Sequence, residues 1–213
     1  QHSHRVRAMR PEIPVMLYSI GAWWRRELHH IIVLMWVFAA SSVNAQETLP
    51  TPLEKVEFSR VSQSDEISAF LQSVVQHDKH VTLTTLGKSV QGRLIEALQF
   101  AARTPGSLTP RPRVMIIGTQ HGAAEPAGGE AILVLARALV SGDLQYLREH
   151  MDIILIPNAN PDGRDMGRRS NAQRININTD FVLVSQPETQ VLKAALQRFQ
   201  PDVVLDSHES AIF

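Results

Sequence analysis

The sequence predicts an α/β fold: a mixed, largely parallel sheet with helices on both faces. From residue 64 onward, short apolar runs of strand length alternate with longer stretches that repeat their apolar residues at helical spacing. Strands separated by helices pair in parallel and are covered on both sides. No internal repeat or low-complexity tract competes with that pattern.

The elements follow in order. Residues 46–63 form a spacer containing Leu49, Pro50, Thr51 and Pro52. Ser64, Asp65 and Glu66 then place a capping hydroxyl and two acids ahead of Ile67, Phe70, Leu71, Val74 and Val75, which predicts a helix near 65–76. Val81 to Leu86 and Leu94 to Phe100 read as a hairpin-like strand pair, with Gly87 and Gly92 suited to the turn. Residues 101–113 hold three prolines and a glycine, a loop, before the apolar run Val114 to Gly118. Gly128 to Val140 reads as a buried helix and Asp152 to Ile156 as a strand. Pro187 starts a helix whose Val191, Leu192, Ala195, Leu196 and Phe199 share a face, and Asp202 to Leu205 returns as a strand.

Composition narrows the function classes. The 213 residues carry equal numbers of acidic and basic side chains, 21 of each, and no cysteine. Balanced charge with no basic run argues against nucleic-acid binding. The absence of cysteine removes thiolate chemistry and cysteine-based zinc sites, and it is compatible with export. Charge is uneven, however: the first 45 residues carry five arginines against two acids. There Met16, the basic flank Arg25 and Arg26, the apolar run Ile31 to Ala40 and the small residues Val43 and Ala45 resemble a signal peptide cleaved after Ala45. The run falls short of the roughly 20 residues that span a bilayer, so no stable membrane insertion is expected after cleavage. The expected organisation is upstream residues plus signal peptide at 1–45, the spacer at 46–63 and a catalytic domain at 64–213, in a secreted or periplasmic protein.

Chemistry gathers just after the predicted strands, where ligands collect in open α/β sheets. His121 and Glu125 follow one strand and His208 another. Two imidazoles and a carboxylate form the ligand set of a catalytic zinc site, which keeps a fourth position open. The competing reading, a surface loop with a chance His and Glu, must be weighed against the flanking motifs.

Those motifs carry a family resemblance. The run at 85–93 (Thr-Leu-Gly-Lys-Ser-Val-Gln-Gly-Arg), the His-Gly and Glu-Pro-Ala-Gly-Gly-Glu-Ala segment at 121–131, Asn-Pro-Asp-Gly at 160–163, Arg-Ser-Asn-Ala at 169–172, Asn-Ile-Asn at 176–178 and Asp-Ser-His-Glu at 206–209 stand in one order over roughly residues 55–213. Together they resemble the M14, carboxypeptidase A-like, family of zinc carboxypeptidases. The resemblance implies that His121, Glu125 and His208 hold Zn2+, that Arg169 (with Arg168 as the fallback) stabilises the oxyanion of a peptide substrate, and that Asn178 binds substrate.

Several positions depart from the family pattern. Three residues, not two, separate His121 from Glu125, and one extra residue moves a carboxylate by up to about 3.5 Å along an extended chain unless Gly122 absorbs it. Thr179 replaces the Arg that clamps a terminal carboxylate, and a hydroxyl cannot carry that charge. Asn176 stands where an Asp commonly orients the first histidine, and Arg174 replaces a usual Gly, so this loop is expected to be reshaped. Glu209 adjoins a ligand but points away from it, which implies a supporting role. The family's general-base Glu and substrate-capping Tyr lie well beyond the third ligand, and the sequence stops at Phe213. The expectation is therefore a C-terminally incomplete zinc metallocarboxypeptidase domain lacking its general base, with an uncovered sheet edge. An amidase or deacylase of the same fold, and a degenerate zinc- or peptide-binding domain without catalysis, stay open beside it.

Overall fold

The computed structural model describes residues 49–101 and 111–209. The signal-like segment at 1–45 and most of the predicted loop at 101–113 lie outside the described residues. Five strands form one sheet: β1 (Val81–Lys88), β2 (Leu94–Phe100), β3 (Arg113–Ile117), β4 (Asp152–Ile156) and β5 (Val203–Asp206). The helices are α1 (Pro52–Lys55), α2 (Ser64–His77), α3 (Ala127–Ser141), α4 (Pro161–Asp165) and α5 (Pro187–Phe199). The strand order is β1-β2-β4-β3-β5. β2 runs antiparallel to both β1 and β4, whereas β3 is parallel to β4 and β5, so only β2 opposes the common direction.

Two apolar cores flank the sheet, and the period-2 alternation of the strands explains why. On β4, Ile153 and Leu155 join α2 and α3 on one face, while Ile154 and Ile156 join α5 on the other. β2 divides in the same way, with Leu98 and Phe100 in the first core and Ile95 and Ala97 in the second. The segment leaving β3 therefore runs to one face and the segment leaving β4 to the other. Such a reversal opens a crevice at the carboxyl ends of the strands. The outer strand β5 is exposed along its whole length, with Val203, Val204 and Leu205 each about half accessible.

Two local expectations are corrected. Ser64 is the first residue of α2 rather than its cap: its hydroxyl donates to Asp165 Oδ1 at 2.7 Å, and the Glu66 carboxylate accepts the Gln63 N–H instead. Gly87 lies within β1, not in the turn. It sits at an irregularity in the β1–β2 register, and Val191 of α5 packs so closely that a Cβ there would meet Val191 Cγ2 at 2.4 Å. The described part of the 46–63 spacer packs onto the domain, since Glu54 pairs with Arg137 at 2.9 Å and the buried Ser62 donates its N–H to Glu130 at 2.9 Å. Among the described residues, no helix is long and apolar enough to cross a membrane.

Candidate metal centre

β3 ends at Ile117, and the chain then turns across the sheet rim. Thr119 is buried with φ +61, a left-handed conformation unusual for a β-branched residue. Its hydroxyl donates to Pro157 O at 3.0 Å and accepts from Arg164 Nη1 at 3.1 Å. Arg164 is itself buried and ion-paired with Glu130. Asn160 caps α4 by accepting the Gly163 N–H at 2.9 Å and donates to Gln120 O at 3.1 Å. The loop is thus fastened on both sides of Gln120, which fixes where His121 starts.

Gly122 to Ala124 wind into a 3-10 turn, with Gly122 at φ +51. Winding brings the rise to about 2 Å per residue in place of nearly 3.5 Å, which absorbs the extra residue of the spacer. His121 Nδ1 and Glu125 Oε1 lie 2.7 Å apart, and both side chains are buried. From the end of β5, 83 residues later in the chain, His208 places Nδ1 at 2.9 Å from Glu125 Oε2. One ligand atom from each of the three residues lies within 4.8 Å of the others, and the two imidazole centroids are 4.8 Å apart. All three predicted ligands therefore converge.

Arg169 joins them. Nη1 pairs with Glu125 Oε1, and Nη2 stands 3.3 Å from His121 Nε2. Its side chain is half exposed. Arg168 points to solvent and contributes its backbone carbonyl, which accepts the Ala123 N–H at 3.0 Å. Burial pushes the Glu125 carboxyl up, but hydrogen bonds from His121, Arg169, His208 and the Glu209 N–H outweigh it and hold the pKa at about 2. Burial lowers and the Glu125 and Asp206 carboxylates raise the His208 pKa, with a net upward shift. The donor set and its placement suit zinc: two buried ligands form the floor, and His208, about one-third exposed, leaves an approach from solvent.

Other predicted residues fall differently. Asn178 is exposed, its N–H bonded to Asn176 Oδ1 at 3.1 Å, and no hydrogen bond ties it to the cluster among the described residues. Asn176 caps that short 3-10 turn and does not orient His121, whose two nitrogens face Glu125 and Arg169. Arg174 adopts φ +63, a backbone region that a glycine occupies freely. Glu209 supports the site as expected: its carboxylate accepts the Ala127 N–H at the start of α3 at 2.5 Å, and its own N–H reaches Glu125 Oε2 at 3.2 Å.

Sequence reasoning missed Asp162 and Asp206. The buried Asp162 gathers Ser89 Oγ at 2.8 Å, the Gln91 N–H at 2.9 Å and Arg93 Nη1 at 2.7 Å, tying the β1–β2 turn to the rim. Asp206 Oδ2 lies 2.8 Å from His208 Nε2 and accepts from Gln120 Nε2 at 2.6 Å. Its i, i+2 spacing from His208 at a strand end was the available signal, since such side chains share a face.

Residues 67–190 match the family model described as zinc carboxypeptidase. The chain is 32% identical to mouse carboxypeptidase D over 163 residues, which cover 66% of this chain and 12% of that protein. It is 29% identical to carboxypeptidase SOL1 of Arabidopsis thaliana, covering 72% of this chain and 34% of that one. Among solved structures it resembles a metallo-carboxypeptidase from Burkholderia cenocepacia, with TM-score 0.61 and 27% identity over 68% of this chain and 40% of the other. Carboxypeptidase A from Helicoverpa armigera, at TM-score 0.62 and 22% identity over 86% of this chain and 53% of that one, shares the fold. The chain thus spans only a minority of the length of the curated relatives it matches.

Proposed function

Because the chain belongs to the zinc carboxypeptidase family, we propose that it is the metal-binding part of a metallocarboxypeptidase that hydrolyses the C-terminal bond of a peptide. His121, Glu125 and His208 would hold one Zn2+. The observation that carries this reading is the convergence of these three side chains, from the ends of β3 and β5, on one point of the sheet rim. A bound zinc ion would supply Lewis acidity toward a carbonyl and lower the pKa of water.

The chain's own residues divide the remaining work. Arg169 stands beside Glu125 and His121 with half its side chain in solvent, so its guanidinium is placed to donate to a carbonyl oxygen that gains negative charge. Asn178, exposed on the neighbouring loop, is assigned to substrate binding. The Glu209 carboxylate at the start of α3 and the Arg164–Glu130 pair beneath Thr119 keep the ligand loop in place.

One observation favours a second reading, an amidase or deacylase of the same fold. The Thr179 hydroxyl donates to Asn176 O at 2.9 Å, so it is engaged locally and offers no cation to a terminal carboxylate. Equilibrium dialysis followed by metal analysis tests the shared premise: about one zinc per chain is expected, with the loss of binding in His121→Ala and His208→Ala. Hydrolysis of a free-acid peptide beside its C-terminal amide separates the two activities. A carboxypeptidase prefers the acid strongly, and equal rates would discard the exopeptidase reading in favour of the amidase. Retention of zinc by both alanine variants would discard the metal centre.

A further inference from the structure

We infer that Asp206 is the positioning carboxylate of this centre, fixing His208 in the tautomer that turns the Nδ1 lone pair to the metal and aligning the two ligand-bearing segments with each other. The inference rests on the zinc reading above and adds a residue to it.

Asp206 closes β5, and His208 follows two residues later. In extended chain, that spacing puts both side chains on one side. The His208 Nε2 to Asp206 Oδ2 distance is 2.8 Å. A carboxylate accepts hydrogen bonds, so Asp206 calls for a proton on Nε2, and a ring held in this way would present Nδ1 to a metal in place of the hydrogen bond it now makes to Glu125. Nδ1 is the atom that faces Glu125, at 2.9 Å. A carboxylate behind the ring also raises the electron-donating strength of the ligating nitrogen.

The same Asp206 oxygen accepts from Gln120 Nε2 at 2.6 Å. Gln120 is buried and directly precedes His121. One oxygen atom of Asp206 therefore joins Gln120, 86 residues earlier and beside the first ligand, to the ring of the third. Among the described residues, no carboxylate stands behind His121 Nε2, which faces Arg169, a donor, and Asn176 is engaged elsewhere. Among the described residues, the carboxylate that orients a ligand ring away from the metal point is on β5, not on the 176–178 segment where the family resemblance places it.

The test uses the 213-residue chain with Asp206→Asn, which keeps an acceptor and removes the charge, and Asp206→Ala, which removes both. Zinc affinity is measured by competition with a chromophoric chelator, the visible spectrum of the Co2+ form reports ligand geometry, and thermal melting of the metal-free proteins reports the fold. The expected result is zinc binding weakened roughly 10-fold in Asp206→Asn and nearer 100-fold in Asp206→Ala. The cobalt bands should shift in both, with melting of the metal-free proteins close to wild type. Wild-type affinity and an unchanged cobalt spectrum in the alanine variant would overturn the inference while leaving the metal centre intact. Weaker binding with an unchanged cobalt spectrum and a matching fall in melting temperature would also overturn it, by reducing Asp206 to a structural residue. Failure of the wild-type chain to bind zinc would remove the centre and the inference together.

Discussion

Gly122 is where a single residue type decides whether the centre exists. Its φ of +51 is strained for any L side chain, and a Cβ there would lie 2.2 Å from Arg168 O and 2.6 Å from the Gly163 carbonyl carbon. Both contacts are with backbone, so neither can swing aside. Gly122→Ala is expected to cost roughly 1–3 kcal/mol of stability and to weaken zinc binding more than that loss explains, because the turn that returns Glu125 to His121 must open. Denaturant unfolding alongside chelator competition checks it, and zinc affinity equal to wild type would show that the turn tolerates a methyl group. In a protein that also supplies the general base, Arg169→Met should lower kcat by about 100-fold or more with little change in KM, the signature of an interaction formed as charge develops on the substrate oxygen. Steady-state kinetics on a peptide substrate would sink that role if KM alone changed. The three candidate ligands were legible through the motifs that flank them and the family these resemble, since an imidazole or a carboxylate after a strand is weak evidence by itself. Asp206 was missed, although the alternation rule that placed Glu209 away from His208 would have put it on the side of that ring. Thr119 was not legible: nothing in a threonine announces a left-handed backbone, which only the contacts with Pro157 and Arg164 enforce.

At the scale of elements, periodicity located each main helix and strand to within one or two residues, because burial on one or both faces writes itself directly into the apolar pattern. Ends were less legible, since they depend on partners remote in sequence. Ser64 looked like a cap until Asp165, 101 residues away, claimed its hydroxyl. The loop at 171–180 shows the same limit. Its shape is set by the buried Asn171, whose Oδ1 accepts the N–H groups of Gln173 and Ile175 at 3.1 and 3.0 Å and whose amide donates to Gln186 and Glu188 at 2.8 and 3.0 Å. Arg174 is carried through φ +63 by that frame, and its side chain is exposed. Arg174→Gly should therefore stabilise the protein by roughly 0.5–1 kcal/mol, the relief of left-handed strain outweighing the added freedom of the unfolded chain. A higher denaturation midpoint with an unchanged slope is the expected reading, and a lower midpoint would mean that the arginine side chain holds the loop.

Across the whole molecule, the class of fold was legible and the strand order was not. Alternation of strands and helices announces an α/β sheet, but only packing decides that the hairpin strand β2 docks antiparallel beside β4 while β5 takes the far side of β3. That order makes β4 an inner wall common to two cores, with Leu155 buried on one side and Ile154 and Ile156 on the other. Leu155→Ala should cost about 2–5 kcal/mol, the usual range for an emptied core position. Calorimetry should show one endotherm moved to lower temperature, not a transition split into two, and a split would mean that the faces melt separately. The shared wall has a consequence for how damage spreads. Neither layer of helices can loosen without disturbing the surface its counterpart rests on, so a lesion far from the rim, on the side facing α5, is transmitted to the segment that presents His121 and Glu125, and loss of metal retention should accompany loss of cooperativity.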